Sequence, residues 1–200
     1  NYITQKNIYV IIMGHDVSRF KNLDNNKVIN YSDFREDILD YFLIKNCYCY
    51  ISDCTGLDYL AFALKKPMLL NSPFLNFFYN KHNKIVYILK NQFSLVENKI
   101  INLHEMLYKF DTMFKVKNNF YEKNKIILKD NNPSDILEAY KNLDSLIKND
   151  VCEKNIENYS KQFWLKYKEF LIKKNYKEKD HYNSGPHPFI YNNINIEKKL

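Results

Sequence analysis

Apolar residues along this chain follow two rhythms. Short unbroken runs at residues 8–13 (IYVIIM), 48–51, 67–70, 85–89 and 126–128 are too brief and too β-branched for helices, and they read as strands. Between and after them the apolar positions recur at helical spacing. Phe34, Ile38, Leu39, Phe42 and Leu43 make one such face, and Leu57, Leu60, Ala61 and Leu64 a second. Ile136, Leu137, Tyr140, Leu143 and Ile147 make a third. Residues 153–176 carry the last, with Ile156, Tyr159, Phe163, Tyr167, Phe170 and Leu171 among lysines and Trp164 at the middle. Strand runs alternating with helical periods predict an α/β fold, a doubly wound and mainly parallel Rossmann-like sheet with a carboxyl-terminal helical extension. An α/β domain over residues 1–150 is expected, with a basic amphipathic helix and irregular tail over 151–200 packed on it.

Residues 48–73 (YCYISDCTGLDYLAFALKKPMLLNSP) hold the densest signal. A strand ending near Ile51 enters the polar turn Ser52-Asp53-Cys54-Thr55-Gly56, a helix follows, Lys65-Lys66-Pro67 stops it, and Met68-Leu69-Leu70 begins the next strand. Parallel strands require such a crossover, so this is a βαβ unit. The first amides of a helix lack internal acceptors and carry the positive end of its dipole, which suits a phosphate. Thr55 adds a hydroxyl, and Gly56 lets a ligand approach the backbone. Asp58 in the first turn can accept from sugar or ribose hydroxyls. The plainer alternative is that Asp53 or Thr55 caps the helix and Asp58 stabilises its start.

Other punctuation is local. Gly14 and His15 follow the first strand run, at the strand end where open parallel sheets place ligands. His15 is equally an ordinary loop residue. Ser32 reads as a helix cap, with Asp33, Glu36 and Asp37 suiting the first turn and Arg35 opposing the dipole there. That conflict marks Arg35 as a charge with another use. Asn102-Leu103-His104-Glu105 has the form of a capping box before a short helix ending near Phe110. Asn132-Pro133 marks a helix start, and residues 115–125 read as a solvated loop.

Composition alters the picture little. A net charge of +7 permits phosphates, nucleic acid or anionic lipid without choosing among them. No RNA-recognition signature or zinc-finger spacing supports nucleic acid. Cys47, Cys49, Cys54 and Cys152 show no zinc spacing, and Cys47 and Cys49 share a strand face on which a bridge would be strained. Reduced thiols, no metal site and no cofactor are expected. No secretory leader is visible, and no apolar run reaches the roughly 18 residues of a membrane span. The cytoplasm is therefore the expected location. The lysine-rich helix over 153–176 either packs on its own domain or makes a peripheral contact with the inner membrane face. The opening at Asn1, almost directly into a strand, leads us to expect a preceding segment. Dinucleotide, Walker, nucleophile-elbow and zinc-protease motifs are absent from the sequence.

One ordered series of stretches carries a resemblance. IYVIIMG at residues 8–14, Asn30-Tyr31-Ser32 leading into REDILDYFL at 35–43, residues 51–57, and Lys66-Pro67 with Asn71 and Pro73 together resemble the carboxyl-terminal half of a family of bacterial glycosyltransferases of GT-B-like fold. Residues 127–143 and the Phe163-Trp164 pair resemble that family's closing helices. The resemblance implies a donor-binding half. It would hold a nucleoside diphosphate sugar among Gly14, His15, Ser32, Arg35, Ser52, Thr55, Gly56 and Asp58, for transfer to a glycan or lipid-linked acceptor in surface polysaccharide or glycan synthesis. It also implies that the base lies on an amino-terminal half, so the catalytic residues are unknown and this chain alone is expected to be inactive. No Asp-x-Asp pair stands ready for a divalent ion, in keeping with metal-independent transfer. Family members commonly carry Arg where Ile12 stands, and Ser or Thr where Cys54 stands. Those departures keep in view a degenerate, non-catalytic nucleotide- or partner-binding domain, and the basic helix over 153–176 keeps in view a membrane-surface scaffold.

Overall fold

The computed structural model describes residues 2–14, 25–31, 35–53, 55–72, 84–109, 119–174 and 189–191. The chain forms two compact units, residues 1–46 and 47–200.

In the first unit, the helical turn α1 (Tyr2–Gln5) precedes β1 (Val10–Ile12) and β2 (Val28–Asn30), which pair in parallel with Val10 opposite Val28. Thr4 ties these pieces together: its hydroxyl accepts from Asn25 Nδ2 at 3.2 Å and its carbonyl from Lys27 Nζ at 3.3 Å. Helix α2 (Asp37–Asn46) follows. Two expectations fail here. The run at 8–13 is not a buried strand, since Tyr9 and Ile11 are exposed. Helix α2 buries Asp40 and Ile44 while Ile38 and Phe42, placed on the buried face by their spacing, are 68% and 58% exposed. Periodicity shows that a face is apolar, but what packs against it decides burial.

The second unit is built on a four-stranded, all-parallel sheet in the order β3 (Tyr50–Ser52), β4 (Met68–Ser72), β5 (Ile85–Leu89), β9 (Phe189–Ile190). Registers are Tyr50 with Met68, Met68 with Ile85, and Val86 with Phe189. Met68, Leu69 and Leu70 and all of β5 are buried, as strands covered on both faces must be. Helix α3 (Asp58–Ala63) makes the crossover from β3 to β4. Its end is a Schellman motif: Lys66 N–H donates to Ala61 O at 3.0 Å and Lys65 N–H to Phe62 O at 2.9 Å, with Lys65 left-handed at φ 56°. Glycine usually takes that position, but the chain has three glycines. Asn7, Asn98, Asn119, Lys125 and Asp150 occupy left-handed positions as well. The order β3-β4-β5-β9 never reverses, so the strand reversal that defines a doubly wound sheet is not among the described strands.

Beside it stands a three-stranded antiparallel sheet, β7 (Lys99–Ile100), β6 (Asn91–Ser94) and β8 (Ile126–Lys129), with Gln92 opposite Leu128. The run at 126–128 is therefore a strand, but it joins this separate sheet antiparallel to β6. Residues 102–109 carry the expected capping box: Glu105 N–H donates to Asn102 Oδ1 at 3.0 Å and Asn102 N–H to Glu105 Oε2 at 3.1 Å. The helix it opens becomes a π-helical turn, Glu105–Lys109. Helix α4 (Phe120–Lys123) lies inside the stretch expected to be loop.

Helix α5 (Pro133–Asn149) starts with Asn132 as cap and Pro133 at its first position, as expected, and packs on β4 and β5. At its far end Lys84 donates to the carbonyls of Leu146 and Ile147 and pairs with Asp150 at 2.7 Å, a cation on the negative helix terminus. Helix α6 (Lys154–Lys173) buries Ile156, Phe163, Trp164, Tyr167 and Phe170 and packs on β9 and the π-helical turn. Its apolar face is thus occupied by its own domain. Among the described residues no helix is long and apolar enough to cross a membrane.

Candidate functional site

The turn after β3 is a closed polar network. Thr55 stands at its centre. Its backbone N–H donates to Asp58 Oδ2 at 3.1 Å and its hydroxyl to Asp58 Oδ1 at 3.2 Å. The Thr55 hydroxyl oxygen is 3.3 Å from Tyr50 Oη and 3.4 Å from Ser52 Oγ. Asp58 N–H returns a bond to Thr55 O at 3.1 Å. Asp58 is fully buried. Burial pushes its carboxyl above the ordinary value, and hydrogen bonds from Ser52, Thr55 and Tyr50 hold the rise back. The carboxylate is therefore committed to securing the start of α3, the plainer of the two roles read from the sequence. Burial also raises the Tyr50 phenol.

Thr55 and Gly56 themselves are exposed. A Cβ built on Gly56 meets nothing within 4 Å, so the backbone of this turn is open to approach. Ser52, Thr55 and Asp58 are thus brought together, with Gly56 beside them. Gly14 and Arg35 belong to the first unit. Gly14 lies two residues beyond β1 at φ 133°, a conformation that favours glycine. Arg35 precedes α2 and donates from Nε to Asp40 at 3.3 Å, so its charge has a local use. His15 and Ser32, with Cys54, lie outside the described residues.

The structure adds a cation that the sequence reading passed over. Lys90 follows β5 directly, at the carboxyl end of a central strand of the parallel sheet, and its side chain is only 15% exposed. Its ammonium is 3.2 Å from Asp130 and 3.5 Å from Asp53, the residue that opens the turn after β3. Burial works against the Lys90 charge, yet the hydrogen bonds and charges of Asp130 and Asp53 outweigh it and raise its pKa. Next to it, Asn131 donates to Asn71 at the end of β4 at 2.8 Å. The strand-end rule that singled out Gly14 applies equally to Lys90, since residues 85–89 already read as a buried strand.

Among the described residues Cys47, Cys49 and Cys152 are free and half-buried. Burial pushes Cys49 up to about 12 and Cys152 up to about 11. Among the described residues no group of His, Cys, Asp and Glu is arranged to hold a metal ion. No protein-family model, curated protein or solved structure matches this chain.

Proposed function

We propose that the second unit binds the diphosphate of a nucleoside diphosphate sugar at the carboxyl edge of its parallel sheet, as the donor-binding part of a glycosyltransferase. The observation that carries this reading is Lys90, a sheltered ammonium at the end of β5, linked through Asp53 to the turn whose Thr55 and Gly56 are exposed. Open α/β sheets bind ligands outside the carboxyl ends of their strands. Asp53 and Asp130 are 60% and 91% exposed, and ion pairs with such exposed partners contribute about 0–1 kcal/mol. A diphosphate can therefore take their place on the ammonium at little cost.

The chemistry asks for this arrangement. An acceptor hydroxyl attacks the anomeric carbon, the bond to the diphosphate breaks, and negative charge develops on the departing phosphate. A fixed cation and preorganised donors stabilise that charge most where water is scarce. The family resemblance extends the reading to transfer onto a glycan or lipid-linked acceptor, with the base supplied from outside this chain. Alone, the chain is then a binder without turnover.

Calorimetry with uridine and guanosine diphosphates, beside a sugar-release assay, tests this. Modest affinity that weakens with salt and with Lys90→Met, and no sugar release, is the expected result. Absence of binding by the folded chain would refute the nucleotide reading, and sugar transfer by it would refute the reading of this chain as a donor half alone.

A further inference from the structure

A recess lies within the second unit where residues 103–108, including the π-helical turn, meet helix α6. Leu103, His104, Leu107 and Tyr108 line one side and Lys166, Glu169 and Lys173 the other, around a cleft of about 220 Å³. Its volume falls below the usual range for drug-sized ligands, so it suits a small molecule.

The lining is sorted by chemistry. Leu103 and Leu107, both buried, supply an apolar floor. The His104 and Tyr108 rings lie 4.6 Å apart and tilted by 31°, and Tyr108 is braced edge-on by Phe170 at 5.1 Å. Tyr108 belongs to the π-helical turn and His104 directly precedes it. Such turns recur at functional sites. On α6, Lys166, Glu169 and Lys173 occupy one face at i, i+3 and i+7. The Lys173 ammonium sits 5.3 Å from the Tyr108 ring centroid, and Lys166 meets Glu169 only at 3.7 Å, over exposed side chains. With two lysines against one glutamate, the rim carries an excess of positive charge over an aromatic and aliphatic floor. Burial and the Glu169 charge raise the Tyr108 phenol.

We propose that this cleft binds a small aryl-alkyl carboxylate, its ring against His104, Tyr108 and the leucines and its carboxylate between Lys166 and Lys173. The weak Lys166–Glu169 pair yields to the ligand, since exposed pairs of this kind add little. Lys173 already lies over an aromatic face, so a carboxylate arriving beside the ring finds a positioned partner. The proposal does not depend on the nucleotide reading, as it uses different residues and a different ligand.

The test titrates the full chain with 3-phenylpropionate and follows the His104 and Tyr108 ring resonances, assigned through His104→Ala and Tyr108→Leu. Phenethylamine, which lacks the carboxylate, and inorganic phosphate, which lacks the ring, serve as controls. Saturable shifts of both rings with 3-phenylpropionate are expected, with phenethylamine and phosphate each at least about tenfold weaker. Lys166→Met and Lys173→Met alter exposed side chains and leave the fold intact, and each should weaken 3-phenylpropionate several-fold. The proposal is overturned if these rings do not shift at millimolar ligand, if phenethylamine binds as well, if phosphate competes equally, or if both lysine variants bind like the parent chain.

Discussion

Thr55 gives both of its donors, the backbone N–H and the side-chain hydroxyl, to the two oxygens of Asp58, at 3.1 Å and 3.2 Å. The pair joins the end of β3 to the start of α3 through a carboxylate with no exposure to water. Its removal should be felt. Asp58→Ala strands two donors and should lower stability by about 1–3 kcal/mol in urea unfolding.

The same carboxylate has a pH signature. Its folded pKa is raised above the ordinary 3.8, so the folded state holds the Asp58 proton more tightly than the unfolded chain. That contribution to stability is complete below the unfolded value and is lost as pH rises through the folded one. Asp58→Asn removes it. The stability gap between parent and Asp58→Asn should shift in favour of the parent as pH falls from neutrality towards 3.8, measured by urea midpoints across that window.

Gly56→Val separates binding from folding. The position has open space around its missing side chain, so the variant should unfold within about 0.5 kcal/mol of the parent. Nucleoside diphosphate affinity should fall if the ligand rests on this turn, and calorimetry reads both quantities. Equal binding by the variant would move the ligand away from residue 56.

Cys49 offers a chemical test of burial. With its thiol pushed up to about 12, the thiolate fraction near neutral pH is on the order of a thousandfold below that of a free cysteine at 9.0. Iodoacetamide should label it slowly in the folded chain and quickly in denaturant, as mass spectrometry of the Cys47–Cys49 peptide will show.

Ser160 ties the last strand to α6: its hydroxyl donates to Ile156 O at 2.7 Å and accepts from Ile190 N–H at 2.8 Å. Ser160→Ala leaves that buried N–H without this acceptor and should cost about 1–3 kcal/mol. Hydrogen exchange at Ile190 should rise by more than exchange within β5.

Much of this fold was legible because local chemistry and tertiary structure agree. The Asn102–Glu105 box, the Asn132-Pro133 start and the Lys65-Lys66-Pro67 stop each reflect backbone groups that must be satisfied whatever lies around them. Strand β6 was not legible. Its buried positions are Gln92 and Ser94, polar side chains that give no apolar run to read. Strand β9, only Phe189–Ile190, is too short for any period. The spacing on α2 marked an apolar face correctly and its burial wrongly, since neighbours decide burial. At the site, Thr55 and Asp58 could be read as ligand groups or as a cap, and only their mutual distances separate the two. Lys90 escaped because a lysine after a strand has no sequence motif of its own.

The late arrival of β9 has a consequence for how the protein is made. Its partner β5, buried along its whole length, is synthesised roughly a hundred residues earlier. At about 5–20 residues per second, a ribosome leaves the β5 edge without that partner for some 5–20 seconds. An open apolar strand edge invites pairing with other chains during that interval. Expression that slows elongation between residues 90 and 188 should therefore increase aggregation, and a chaperone that shields strand edges should relieve it.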